Sequence, residues 1–127
     1  MDVLDLVYQE LIADEYINEK AFNRIKFYEY PETGDVTGPH IILELLDSPN
    51  PSDFADNKWL TYNCYLQIEV WSPNRKITNQ TADKVRDVLW DSFGFVQKRG
   101  PQEYDEGVFR DARRYEGTIY RDDLDGL

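Results

Sequence analysis

Trp59-Leu60-Thr61-Tyr62-Asn63-Cys64-Tyr65-Leu66-Gln67-Ile68-Glu69-Val70-Trp71 alternates without interruption. Leu60, Tyr62, Cys64, Leu66, Ile68 and Val70 share one face, and Thr61, Asn63, Tyr65, Gln67 and Glu69 share the other. A period of two is that of a half-buried β-strand. At ~3.3 Å per residue the stretch spans about 43 Å, beyond the usual strand length, so it is expected to leave the body as one arm of a long hairpin.

Outward from this strand the pattern changes on both sides. Ser72-Pro73-Asn74 ends it, and Ile77, Thr81, Val85, Val88, Leu89 and Phe93 recur at helical spacing as far as Gly94, a natural stop. The spacing predicts a helix over residues 78–93, with Thr78 or Asn79 as its N-cap. Upstream, His40 to Leu46 and Ile25 to Tyr30 have the β-branched and aromatic content of strands, separated by turn residues from Pro31 to Asp35. Val3, Leu4, Leu6, Val7 and Leu11 predict an N-terminal helix, with Asp2 and Asp5 in its first turn. Residues 47–58 read as a long polar loop whose one large apolar side chain before Trp59 is Phe54. After Gly94, a polar stretch from Gln97 to Gly107 precedes a last strand from Val108 to Tyr120, with its register left open by Gly117. The expected architecture is α+β: a mostly antiparallel sheet with two helices packed on one face and a long hairpin between the second and third strands. At 127 residues the expected organisation is a single domain, 1–127.

Charge excludes several functions. The net charge is −11, and it is uneven: residues 1–60 hold thirteen acids and four bases, whereas residues 61–127 hold twelve acids and ten bases. Binding to nucleic acid or anionic lipid draws on Lys and Arg, so neither is expected. No run approaches the ~20 apolar residues that cross a bilayer, the acidic start lacks the basic segment of a secretory signal, and a single cysteine makes no internal disulfide. These features lead us to expect a protein of a reducing cytoplasm.

Catalytic constellations are missing from the sequence. His40 is the one histidine, at the edge of a predicted strand, and Cys64 falls on the apolar face of the long strand. One Cys and one His cannot supply a zinc ligand set. Asp122-Asp123-Leu124-Asp125-Gly126 resembles the start of a calcium loop but lacks the acid at loop position twelve, and reads as a solvated tail. Glu103-Tyr104-Asp105-Glu106 lies in polar sequence, and no phosphate-cradling glycine motif occurs. No catalytic residue, metal site or cofactor is assigned.

The remaining signal is aromatic and cationic. Arg110, Arg113 and Arg114 lie among Phe109, Tyr115 and Tyr120, and Trp90 falls off the apolar stripe of its helix. Tyr, Trp and Arg are enriched at protein interfaces. We therefore assign Arg110, Arg113, Arg114 and Trp90 to an interface between copies, and Phe54 with Asp53 and Asp56 to contacts with another component.

Four segments carry a resemblance to a family. They are the N-terminal helix leading to Phe27-Tyr28-Glu29-Tyr30-Pro31-Glu32, the strand Leu66-Gln67-Ile68-Glu69-Val70-Trp71-Ser72, the helix ending Leu89-Trp90-Asp91-Ser92-Phe93-Gly94-Phe95, and Ala112-Arg113-Arg114-Tyr115-Glu116-Gly117 in the closing strand. In these the chain resembles the small tail-terminator or tail-completion proteins of long-tailed bacteriophages. The resemblance implies a non-enzymatic ring, usually a hexamer, that caps the tail tube, ends its polymerisation and joins the tail to the head connector. Its partners would be copies of itself, the tail tube protein and the head connector protein. DNA would pass through without specific binding, and no membrane would be involved. It would occupy the host bacterial cytoplasm during assembly and the neck or tail of the virion afterwards. On this reading the pattern-based assignments become Arg110, Arg113, Arg114 and Trp90 between subunits, and Phe54, Asp53 and Asp56 toward the tube or lumen. The alternative is a small acidic inhibitor or nucleic-acid mimic that occupies the basic cleft of an enzyme. The bases of the second half weigh against it, since a self-associating ring uses both signs of charge.

Overall fold

The alternating stretch is the spine of a seven-stranded sheet, to which every other part of the chain is referred. A computed structural model of the chain describes residues 2–30 and 38–125. In chain order the elements are α1 (Val3–Ala13), α2 (Glu15–Ala21), β1 (Ile25–Phe27), β2 (His40–Leu45), β3 (Asn50–Ala55), β4 (Lys58–Ser72), α3 (Arg75–Phe93), β5 (Val96–Lys98), β6 (Gln102–Asp105), β7 (Val108–Tyr120) and α4 (Arg121–Asp125). The fold is α+β, and every strand pairing is antiparallel except β1 with β2. The turn expected at Pro31 to Asp35 lies outside the described residues.

β4 is long enough to pair along most of its length on both sides. On one side, β2 pairs with residues 66–71 and β3 with residues 58–63; on the other, β7 pairs with residues 61–72. β7 in turn carries β5 and β6 end to end along its outer side. The expected arm therefore exists, but its second limb is β3, not β2. Residues 47–58, expected to be a loop, contain this strand, which is polar because nearly all of it is exposed. Its turn holds Asp56 at φ 51° and Asn57 at φ 63°, the left-handed pair of a tight two-residue hairpin. Glu106 at φ 49° and Gly107 at φ 84° close β6 onto β7 in the same manner.

Three helix boundaries also differ from expectation. The N-terminal helix is followed at once by α2: Asp14 ends α1 and its carboxylate accepts from the Ile17 amide at 3.0 Å, capping the next helix. α3 begins earlier than predicted, because Asn74 is the cap, its Oδ1 accepting from the Ile77 amide at 3.0 Å. The acidic C-terminal segment is the short helix α4, which buries Leu124 and brings Asp125 to accept from the Tyr62 hydroxyl.

All four helices send their buried residues to one face of the sheet. Val3, Val7 and Leu11 of α1, Ile17 of α2, Val85 and Leu89 of α3, and Leu124 of α4 share one core with Ile41, Leu43, Cys64, Leu66, Ile68, Val70, Tyr115 and Ile119. Burying these apolar groups supplies most of the drive to fold, at ~25 cal/mol per Å². Phe95, just past the left-handed Gly94 at φ 68°, is driven into the same core. It fills the space that Gly117 leaves on β7, where a Cβ would come within 2.4 Å of its ring.

Between β5 and β6 the edge strand breaks at Arg99-Gly100-Pro101. The Ala112 amide still donates to the Pro101 carbonyl at 2.9 Å, which keeps this kink against β7. A Cβ at Gly100 would stand 1.6 Å from the Ala112 carbonyl oxygen, and backbone cannot yield as a flexible side chain would. Gly100→Ala is expected to cost on the order of 2 kcal/mol as an overpacking substitution. Chemical denaturation checks this; an unchanged midpoint would refute the close approach.

Candidate functional site

The face of the sheet opposite the helices is the candidate site. Strand alternation places His40, Ile42 and Glu44 of β2, Gln67, Glu69 and Trp71 of β4, and Arg110, Ala112 and Arg114 of β7 on it in facing register. At its centre Glu69 lies between Ile42 and Ala112 on the neighbouring strands, and all three are fully buried.

A carboxylate in that position needs a cation, and Arg110 supplies it. Its Nε donates to Glu69 Oε1 at 2.5 Å, its Nη1 reaches Glu103 of β6 at 3.1 Å, and its guanidinium lies 5.5 Å from the Trp71 ring centre. The Trp71 indole donates to the same Glu69 oxygen at 3.3 Å, and Tyr30 packs on the indole at 5.4 Å. Arg110 thus ties three strands together through one guanidinium. Burial, followed by the neighbouring Glu69, pushes the Tyr30 hydroxyl above its ordinary range, so it stays protonated. Burial, and then repulsion from Glu69, raises the Glu44 carboxyl, with Arg110 opposing.

A second polar track crosses the sheet one pair further along. The Gln67 amide nitrogen donates to Glu44 at 3.0 Å while its oxygen accepts from Arg114 Nε at 3.2 Å. Arg114 is exposed, and directly across the β5–β7 ladder from it stands Lys98. The face therefore grades from acid on β2 to base on β5.

The sequence-predicted residues separate by strand parity. Arg110 and Arg114 share this face. Arg113 points to the helix side, where it is 13% exposed and bonds Asp83 of α3 at 2.8 Å and Asp111 at 3.0 Å. Its positive charge is spent within the chain. Trp90 lies on α3, on the helix side, 59% exposed. Phe54, Asp53 and Asp56 are together on the β3–β4 hairpin: Phe54 is 70% exposed, Asp56 forms the turn, and Asp53, at φ 53°, accepts from the Thr61 hydroxyl at 2.6 Å. The register skips Asp53, as a bulge does. Sequence reasoning missed Glu69, Lys98 and the Arg110 tie. The parity of Glu69 along the alternating strand was the available signal for the first.

Among the described residues the one cysteine and the one histidine, Cys64 and His40, lie on opposite faces of the sheet. Cys64 is buried and its thiol is pushed up to about 11 by burial, which leaves it protonated near neutrality. A cavity of about 190 Å³ beside β1 is lined, among the described residues, by Asn23, Arg24, Lys26, Glu29, Tyr30, His40 and Ile42. Among the described residues no group of three or more His, Cys, Asp or Glu could hold a metal ion, and no helix is long and apolar enough to cross a membrane.

The fold recurs in a known assembly. A chain in a solved structure of the virion of a native gene transfer agent particle superimposes with TM-score 0.64 at 17% identity, over 90% of this chain and 91% of its own. A second solved chain matches 95% of this chain and 97% of its own at 13% identity, with TM-score 0.49. No protein-family model matches the chain, and no curated protein matches it significantly.

Two outcomes follow from the geometry. Arg110→Ala leaves Glu69 buried without its cation and is expected to cost on the order of 2 kcal/mol; adding Glu69→Gln should recover part of that loss in a double-mutant cycle. Equal losses in the single and double variants would deny the coupling. For Glu44, the raised folded value means the folded state holds the proton more readily, so its contribution to stability falls as pH rises through the carboxylate range. Glu44→Gln should therefore raise the melting temperature at neutral pH and flatten its dependence on acid pH; a lower melting temperature would count against the repulsion.

Proposed function

We propose that the chain is a structural, non-enzymatic subunit of a virion that closes the tail tube as a ring, ends its polymerisation and joins it to the head connector. The observation that carries this reading is the fold shared with the gene transfer agent virion chain over nine-tenths of both chains. The resemblance of the four sequence segments to tail-terminator proteins supports the finer role. Free sheet edges on opposite sides of the subunit suit head-to-tail closure, which requires two different patches per copy.

The partners in this reading are copies of the chain, most simply six, the tail tube protein and the head connector protein. The exposed Phe54, with Asp53 and Asp56 on its hairpin, faces the tube or lumen. A net charge of −11 gives DNA in transit like charge and few places to adhere. Arg114 and Trp90 remain available for contacts between subunits, and Arg110 can add to them, whereas Arg113 holds α3 on β7. The acidic mimic is a weaker reading, because a mimic has no use for Lys98, Arg99 and Arg114 gathered at one edge.

The test is particle assembly without the chain. Lysates of a variant lacking it should accumulate tail tubes of uncontrolled length that are not joined to heads, and adding the purified protein should restore joining. Tubes of normal length joined to heads in its absence would overturn the terminator role.

A further inference from the structure

We infer that the basic β5 strand of one copy docks on the acid-flanked β3 strand of a second copy. This deepens the ring reading by naming the two surfaces that meet, and it rests on that reading only in taking the partner to be another copy.

The basic edge is costly as it stands. Lys98 and Arg114 are directly opposite in the β5–β7 register, which places like charges ~5 Å apart at their Cβ atoms, an arrangement that destabilises a ladder. Arg99 follows immediately in sequence, and all three side chains are exposed. Among the described residues Arg114 bonds only the neutral Gln67, and no described carboxylate pairs with Lys98 or Arg99. The contrast with Arg110 and Arg113 is direct, since each of those reaches two carboxylates. In a chain with eleven more acids than bases, three cations left together are best explained by a negative partner.

On the opposite side of the sheet the flanks of β3 have the matching sign, whereas β1, outside β2, carries Lys26. Asp47 and Asp56 are exposed at the two ends of β3, and Glu44 lies just inside, with its charge opposed by Glu69. Lys58, across from Ala55 near the tip, is the one base of the β3–β4 hairpin. Apolar surface accompanies both strands, since Phe54 on β3 and Val96 on β5 are exposed, and the contact takes Phe54 and Asp56 from the tube-facing role and gives them to a neighbouring copy. Because the two edges are different surfaces on opposite sides of the subunit, each junction leaves both copies with one unused edge, and the association propagates until it closes. Pro51 and the Asp53 bulge blunt β3 against continuous backbone pairing, so the contact is one of side chains.

A charge swap tests this in the full chain. Lys98→Glu with Arg99→Glu makes the β5 edge acidic; Asp47→Lys with Asp56→Asn removes the two acids that flank β3, leaving Asp53 on its Thr61 hydrogen bond, while keeping a residue that tolerates the left-handed turn. Each variant alone should keep the wild-type circular dichroism and self-associate more weakly by about tenfold or more in sedimentation velocity. An equimolar mixture should associate again, because alternating copies present complementary charge at every junction, which an even-numbered ring permits. Wild-type self-association in both single variants, no recovery in the mixture, or a wild-type chain that is monomeric throughout would each overturn the docking. None of these results touches the assembly experiment with tails, so the two readings fail separately.

Discussion

Twelve consecutive pairs join β4 to β7, from Thr61 with Tyr120 to Ser72 with Phe109, and this ladder is what the rest of the molecule hangs on. A ladder of that length with one face buried permits no slip, because a shift by one residue would exchange the core residues Cys64, Leu66, Ile68 and Val70 for Tyr65, Gln67, Glu69 and Trp71. Its register therefore fixes which side chains face the helices and which face away. β2 with β1 outside it, and β3, complete one side, and β5 and β6 the other.

The register also decides what each charge does. Three arginines within five residues of β7 form a cluster in sequence, yet alternation sends Arg113 to α3 and leaves Arg110 and Arg114 on the second face. Glu69, at the middle of that face, would be costly to bury alone, and Arg110 offsets the cost while reaching on to Glu103. The β6–β7 hairpin is held to the body in this way. Among the described residues Lys98, Arg99 and Arg114 lie together near β5 without a carboxylate partner, and Asp47 and Asp56 flank β3 on the other side.

Much of the fold was legible because β4, α1 and α3 carry a clean period, and β7 reads as a strand although Gly117 left its register open. The α+β class and the antiparallel neighbours follow from those four elements. α2 was obscured by its short length and its polar residues from Asn18 to Lys20. β3, β5 and β6 were read as loops because exposure on both faces removes the alternation that marks a strand; only the turn chemistry of Asp56-Asn57 and Glu106-Gly107 points to them. The candidate site was legible in part. Arg110, Arg114 and the Phe54 hairpin could be picked out by residue type, but Arg113 could be separated from them only by its odd parity on β7. Lys98 could be joined to Arg114 only through a pairing that the sequence does not announce.

The measurement that tests the account most directly is the mass of the purified chain in solution, by light scattering after size exclusion over a range of protein and salt concentrations. Copies joined by opposite charges at opposite edges should give a closed particle near six times the 15.0 kDa chain mass, and added salt should shift it toward smaller species. A particle of one chain mass at every concentration, indifferent to salt, would contradict it.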